Sequence, residues 1–417
     1  MLPPLKIVKQ GLRRTTEALA AELAQPGGAM PDWNHVEWQL ASAVAAAHGV
    51  SPLLEKSCRW ANPDWQRFLR SQREHVAHRH RHIAALLERI DAGARAIALT
   101  VVPLKGSALH ALGLCAPGDR PMADIDLLVR EGDVDAAIEL LKGLGYVEQF
   151  VVWKHRVFKP ATGQPFATLG EHRDTPINIE LHTRIQERLP VSTVVITERI
   201  YPRAPRAGLA PYPSLGALMS HLLLHAAGNI CHRSLRLLHL HDIAALAARM
   251  SASDWDVLWD EHAAGSPWWA LPPLRLVARY YGEAIPAAVL ARLAPCCPPL
   301  LRMVSRRQNL TQLSCSELWH HTLHGIEWLS SARDVRRYIA NRVTPTEEAV
   351  REHQDMLRTQ FWLREESWVG LPRSQRFMTV LTRRLPRMDT LYIVRAALEP
   401  SRKAAVNDDT AAELELA

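Results

Sequence analysis

Cysteine is scarce in this chain of 417 residues, and the six present, Cys58, Cys115, Cys231, Cys296, Cys297 and Cys315, fall at no C-x-x-C spacing. That pattern indicates neither a zinc ribbon nor a disulfide framework, and it makes a reducing cytoplasm the expected compartment. Long apolar runs are missing as well. No stretch approaches the roughly 20 apolar residues of a membrane span, and the opening MLPPLKIVKQGLRR has basic residues but no apolar h-region. Neither a membrane nor a secretory route is expected. Internal repeats are absent. The net charge of +7 would suit nucleotides, polyphosphates, nucleic acid or acidic membrane surfaces. The interleaved aromatic and basic residues of a single-strand-binding surface are lacking, however, and the arginines are dispersed along helical stretches, which argues against nucleic acid.

A 47% hydrophobic share with thirteen tryptophans supplies ample core, and a chain of this length suggests two or three domains. Residues 1–95 read as an N-terminal helical region. An apolar stripe over 12–23 breaks at Pro26-Gly27-Gly28, a second covers 33–48, and a long helix runs from Asp64, its candidate cap, to about Arg95. This helix carries HVAHRHRH, His75 to His82, whose positions go round the helix and read as a solvated basic face; a metal site on His75, His78 and His82 is the alternative. From 96 to 212 the pattern changes to short strands and short helices, an α+β arrangement, and Pro202, Pro205, Pro211 and Pro213 around Gly208 read as a linker. Residues 213–400 are helical again, with helices expected over 214–227, 235–250, 253–263, 267–281, 284–293, 299–312 and 339–352. Thr344, Pro345 and Glu347 mark a helix start in the last of these, and 401–417 reads as a flexible tail.

The segment Leu104 to Val129 concentrates the chemistry. A β-favouring run over 98–104 ends at Gly106-Ser107, where the missing side chain would let backbone N–H groups approach a phosphate and Ser107 adds a hydroxyl. Leu109, Leu112 and Leu114 then fit a short amphipathic helix whose N-terminal end points at the same place. On the strand expected over 122–129, Asp124 and Asp126 share one face while Ile125, Leu127 and Val129 share the other. Paired carboxylates on a strand repel each other and resist desolvation, so a cation is expected between them, and oxygen ligands suit Mg²⁺. Downstream come a helix over 131–144, strands over 146–152 and 155–159, and a polar connection over 161–175 with a turn at Thr162-Gly163. Then PINIELHTRI alternates again and places Asn178, Glu180 and His182 on one face.

Leu104-Lys105-Gly106-Ser107, Arg120, Asp124-Ile125-Asp126-Leu127-Leu128-Val129, Gly145-Tyr146 and Ile179-Glu180-Leu181-His182 together resemble the polymerase-β-like nucleotidyltransferase superfamily, in its branch of uncharacterised nucleotidyltransferases. The spacer from Ser107 to Asp124 is longer than in the smallest members, so a longer loop is expected around 117–121. The resemblance implies a small mixed-sheet nucleotidyltransferase core, 96–212, flanked by N-terminal and C-terminal helical regions. It implies that the Glu180 strand lies beside the Asp124 strand, with Asp124, Asp126 and Glu180 as catalytic residues and metal ligands. Mg²⁺ or Mn²⁺ is the implied cofactor, and an NTP such as ATP the co-substrate. The implied reaction moves an NMP group to a hydroxyl acceptor, a small molecule, peptide or protein, and releases pyrophosphate. Gly106, Ser107 and a cation, Lys105 or Arg120, would hold the phosphates.

Blander readings stand beside these. Lys105 also fits a solvent lysine at a strand end, Arg120 a loop residue and His182 a satisfied polar neighbour. His221 and His225, one turn apart, and His239, His241 and Asp242 read as packing residues, although the resemblance places a His-rich helix pair here that would line a nucleotide pocket. A catalytically silent helical interaction protein that retains a nucleotide-binding core is the rival expectation. The presence of all three carboxylates argues against it.

Overall fold

Asn34 and Glu37 form a capping box that opens α2 (His35–Ala47), after α1 (Leu5–Ala24) and before α3 (Ser51–Ser57), in the computed structural model of the protein. The structure describes residues 2–162, 168–259, 266–321, 323–344 and 385–399, with isolated positions between 347 and 383. The long helix α4 (Pro63–Ala96) lies where the periodicity predicts, but its cap is Asn62, whose side chain accepts from Trp65 N at 3.0 Å, rather than Asp64. Pro63 decides this. It has no N–H to satisfy and fits the first helical turn, so the residue before it becomes the cap.

Strands and short helices follow: β1 (Thr100–Pro103), α5 (Gly106–Ala111), β2 (Asp124–Leu128), α6 (Val134–Gly143), β3 (Tyr146–Val151), β4 (Arg156–Pro160), β5 (Asn178–His182), β6 (Gln186–Leu189), β7 (Ser192–Val195), α7 (Thr197–Ile200) and β8 (Gly208–Leu209). A mixed sheet runs in the order β3-β4-β5-β2-β1-β8, while β6 and β7 form a hairpin of their own. At its centre β2 runs parallel to β5 and antiparallel to β1. Alternation splits the sheet between two cores. Ile125, Leu127, Ile179 and Leu181 pack with Ile83 and Ile90 of α4 and with Ile138 and Leu141 of α6. Val102, Leu104 and Leu128 join the larger core, shared by Leu12 and Leu40 near the start of the chain and Leu223, Leu240 and Val394 towards its end. Each such fully buried aliphatic side chain contributes roughly 1.5–3 kcal/mol of transfer free energy.

After Ser214, which caps α8 (Leu215–His232) by accepting from Ala217 N at 3.1 Å, comes α9 (Leu237–Ala247). Shorter helices complete the region, among them Ala252–Asp256, Leu271–Tyr281, Ala287–Leu293, Pro299–Val304, Leu310–Leu313, Ala332–Val343 and Met388–Leu398. The helix expected over 299–312 is two pieces, because an Asn309–Gln312 capping box starts a new one. Ser331 caps the helix Ala332–Val343, which ends at Thr344; Pro345 of the expected helix start, Gly163 of the expected turn and the tail 401–417 lie outside the described residues. The proline-rich stretch 202–213 contributes β8, a parallel partner of β1, instead of a free linker. Among the described residues no helix is long and apolar enough to cross a membrane.

Candidate active site

The pairing of β2 with β5 sets Asp124 opposite Asn178, Asp126 opposite Glu180 and Leu128 opposite His182. Residues in register on adjacent strands share a face, so Asp124, Asp126, Glu180 and His182 lie together on the face away from α4 and α6. A slip of one residue would have turned Glu180 into the core. His155 completes the group. It leads into β4, whose Arg156 pairs with Leu181 of β5, and its ring centroid lies 4.9 Å from that of His182.

Asp126 Oδ1 accepts from Lys105 Nζ and from His182 Nε2, each at 3.0 Å. His155 Nε2 lies 3.4 Å from Glu180 Oε1, and His182 Nε2 lies 3.8 Å from Glu180 Oε2. Burial disfavours ionised Asp126, but Lys105 and the hydrogen bond from His182 outweigh it and hold the carboxyl well below the usual range. Asp124 moves the other way: burial, Asp126 and Glu180 push its carboxyl up to about 7. Neither Asp124 nor Asp126 Oδ2 has a hydrogen-bond or ion-pair partner among the described residues. Burial lowers His155 to about 4, so its imidazole is neutral at pH 7, as a metal ligand must be. The donors therefore fit divalent metal. Asp124 and Asp126 bring unspent carboxylate oxygens, and ligand atoms of His155, Glu180 and His182 lie within 4.8 Å of one another.

A family model described as an uncharacterised nucleotidyltransferase matches residues 34–283, more than half of the chain. The chain belongs to this nucleotidyltransferase family. No curated protein and no solved structure matches it. The matched span runs from the cap of α2 to the helix Leu271–Tyr281 and includes the whole sheet, α8 and α9.

Within the matched span Lys105 reaches Asp126 from a turn with φ +47° and ψ −112°, a conformation rare outside glycine. Its N–H donates to Tyr212 Oη at 3.3 Å, and the Tyr212 hydroxyl in turn donates to His221 Nδ1 at 2.8 Å. Thus α8 supports the turn through a histidine that burial keeps neutral. Gly106 opens α5 directly after Lys105, and a Cβ there would collide with the Arg120 guanidinium and come within 2.7 Å of Met122 Sδ. Its missing side chain makes room for Arg120. That guanidinium is engaged by Asp242 of α9, Nε to Oδ1 at 3.0 Å and Nη2 to Oδ2 at 2.8 Å, with both side chains buried. Lys105 is consequently the cation held against the carboxylates, and Arg120 a buried strut beneath the turn. Ser107 is buried in the first turn of α5, its N–H bonded to Leu104 O at 3.2 Å.

The basic run on α4 is not solvated all round. Arg79 falls on the same helical stripe as Val76, Ile83 and Leu86, and it is buried with them. It donates to the carbonyls of Met122 at 3.0 Å, Ala123 at 3.3 Å and Thr175, and its Nε lies 3.3 Å from Glu171 Oε2. Those carbonyls lie one to three residues ahead of β2 and β5, so one side chain ties together the entries to both acidic strands. His75 packs against His172 and His78 against His82, with ring centroids 4.6 and 4.7 Å apart. Glu187 of β6 went unsuspected in the sequence. It meets Lys154 at 2.5 Å and His225 Nδ1 at 3.5 Å, and these partners outweigh burial to hold its carboxyl down at about 2. His155 opens the strand expected over 155–159 and Tyr212 lies in the proline-rich stretch, and neither was marked for the site because each gains its partner only through tertiary pairing.

Proposed function

We propose that this protein moves the NMP group of an NTP to a hydroxyl acceptor and releases pyrophosphate, at a Mg²⁺- or Mn²⁺-dependent site built on Asp124, Asp126 and Glu180. The observation that carries this reading is the register of β2 with β5, which sets Asp126 beside Glu180 next to Lys105 and the start of α5. Asp124 and Asp126 would hold one ion, and Glu180 with His155 a second, beside His182, whose Nε2 is committed to Asp126. Bound metal would supply Lewis-acid activation of the α-phosphate and of the acceptor hydroxyl.

The chain's own groups supply the rest. Lys105 keeps an ammonium at the carboxylates, because Asp126, Glu180 and Asp124 outweigh the burial that opposes its charge, and it is placed to stabilise charge developing on the departing phosphates. Gly106 offers its backbone N–H and Ser107 its hydroxyl to the same phosphates, the Ser107 N–H being bonded to Leu104 O. His182 keeps Asp126 ionised through its hydrogen bond. The acceptor hydroxyl gives its proton to Glu180 or to solvent. The acceptor is a small molecule, peptide or protein, and the family fold does not choose among them.

Incubation with each α-phosphate-labelled NTP and Mg²⁺ or Mn²⁺ tests this directly. Label is expected on the protein itself or on an added hydroxyl compound, with pyrophosphate released, and Asp124→Asn is expected to lose it. Glu180→Gln should retain NTP binding while slowing transfer at least ~100-fold. Metal-dependent NTP binding without transfer under any condition would favour the silent interaction protein.

A further inference from the structure

Outside the carboxylate site, a cavity of about 350 Å³ opens between α1, the turn after α8 and the segment 304–321. From His221, at the carboxylate end, α8 rises about 18 Å to Arg233 in this cavity's wall. The lining is rich in donors. Lys9 and Arg13, one turn apart on α1, form no ion pair among the described residues. Arg233 caps α8 in the left-handed region at φ +54°; its Nη1 donates to Gln312 O, but its Nε is buried without a hydrogen-bond partner. Asn309 and Gln312 use their amide oxygens in the capping box, Oδ1 to Gln312 N and Oε1 to Asn309 N, each at 3.1 Å, which leaves both NH₂ groups as donors.

Acceptors are few. Glu317, the acid in the lining, is engaged by His321 Nε2 at 3.6 Å and by Trp319 N–H at 3.1 Å. Gln308 Oε1 is buried without a partner, an acceptor waiting for a hydroxyl or amide donor. Lys9, Arg13 and Arg233 face one acid in the lining, Glu317, which attracts Lys9 and Arg233, and the excess of positive charge selects an anion; the volume is far beyond a lone ion and within the small-molecule range. We propose that this cavity binds a phosphate-bearing small molecule, with Lys9, Arg13 and Arg233 around the phosphate and Gln308 accepting from a donor on the remainder. Three cations suit a doubly charged phosphate better than a single carboxylate.

Calorimetric titration of the full chain with inorganic pyrophosphate, in EDTA so that no metal bridges it to the carboxylates, tests the proposal. Saturable binding is expected in the wild type and in Asp126→Asn. Lys9→Ala with Arg13→Ala removes exposed side chains and spares the core, and Arg233→Gly suits the left-handed cap. Each of these variants is expected to weaken binding at least ~10-fold. The proposal is overturned by no saturable binding at millimolar pyrophosphate, by equal affinity in the cavity variants, or by loss in Asp126→Asn. Citrate binding as tightly as pyrophosphate would overturn the phosphate assignment.

Discussion

Lys105 holds a backbone conformation that costs a non-glycine residue about 1–3 kcal/mol, and the neighbouring groups over-determine it: Tyr212 on its N–H, Asp126 on its ammonium and Gly106 packed against Arg120. Gly106→Ala would drive a methyl group into the buried Arg120–Asp242 pair. A destabilisation of about 1–3 kcal/mol in denaturant melts is expected; unchanged stability would show that the glycine serves phosphate alone. Asp242→Ala goes further by leaving the Arg120 charge buried and unpaired. It is expected to cost about 3–5 kcal/mol, and a loss below about 1 kcal/mol in the same melts would remove Arg120 from its role as a strut. Asp124, Asp126 and Glu180 were legible because period-two alternation in a short strand fixes which side chains share a face. His155 was not, since its place beside His182 depends on β4 pairing antiparallel with β5, which the spacing within neither strand announces.

At the scale of elements, the strand–helix–strand order from β1 to β2 and the β5 strand follow from apolar spacing in the sequence, while their adjacency followed only from the family resemblance. The hairpin β6–β7 and the two-residue β8 were invisible: strands this short carry no periodicity, and prolines around Gly208 read as turn. Arg79 likewise reads as part of a basic face until the buried stripe of α4 is seen to pass through it. Because it caps the carbonyls before β2 and β5, Arg79→Met is expected to cost at least ~2 kcal/mol and to speed amide exchange in both strands more than in β3. Equal protection of β2 and β5 in the variant would mean that the acidic strands are aligned without it.

The whole molecule closes on itself through groups that the sequence presents as scattered histidines. His48 ties the early helices to α9 and to Ser316: its Nδ1 accepts from Leu237 N at 2.8 Å and its Nε2 donates to Ser316 Oγ at 2.9 Å, which requires a neutral ring. Burial, aided by Arg236, lowers it from 6.5 to about 3, and burial first among other causes lowers His110 and His320 to about 4. These rings stay neutral in the fold but protonate in the unfolded chain below pH 6.5. Stability is therefore full above that value and falls as pH drops towards 4, with His48 alone contributing about 1.4 kcal/mol per pH unit. Denaturant titrations at pH 7 and 5 check this. His48→Gln, which preserves one acceptor and one donor, is expected to flatten the slope, and an identical slope in the variant would place the acid sensitivity elsewhere. No periodicity announces that both ends of the chain share one core, because that depends on packing between segments far apart in sequence.

The central claim, that the carboxylates of β2 and β5 hold the metal that carries the nucleotide, is open to a measurement that needs no knowledge of the acceptor. Electron paramagnetic resonance of free Mn²⁺, titrated with protein and a non-hydrolysable NTP, reports the bound fraction. The wild type is expected to take up Mn²⁺ with the nucleotide, and Asp126→Asn to bind it at least ~100-fold more weakly because a charged ligand and the Lys105 and His182 contacts are disturbed together. Equal Mn²⁺·NTP affinity in wild type and Asp126→Asn would contradict the account.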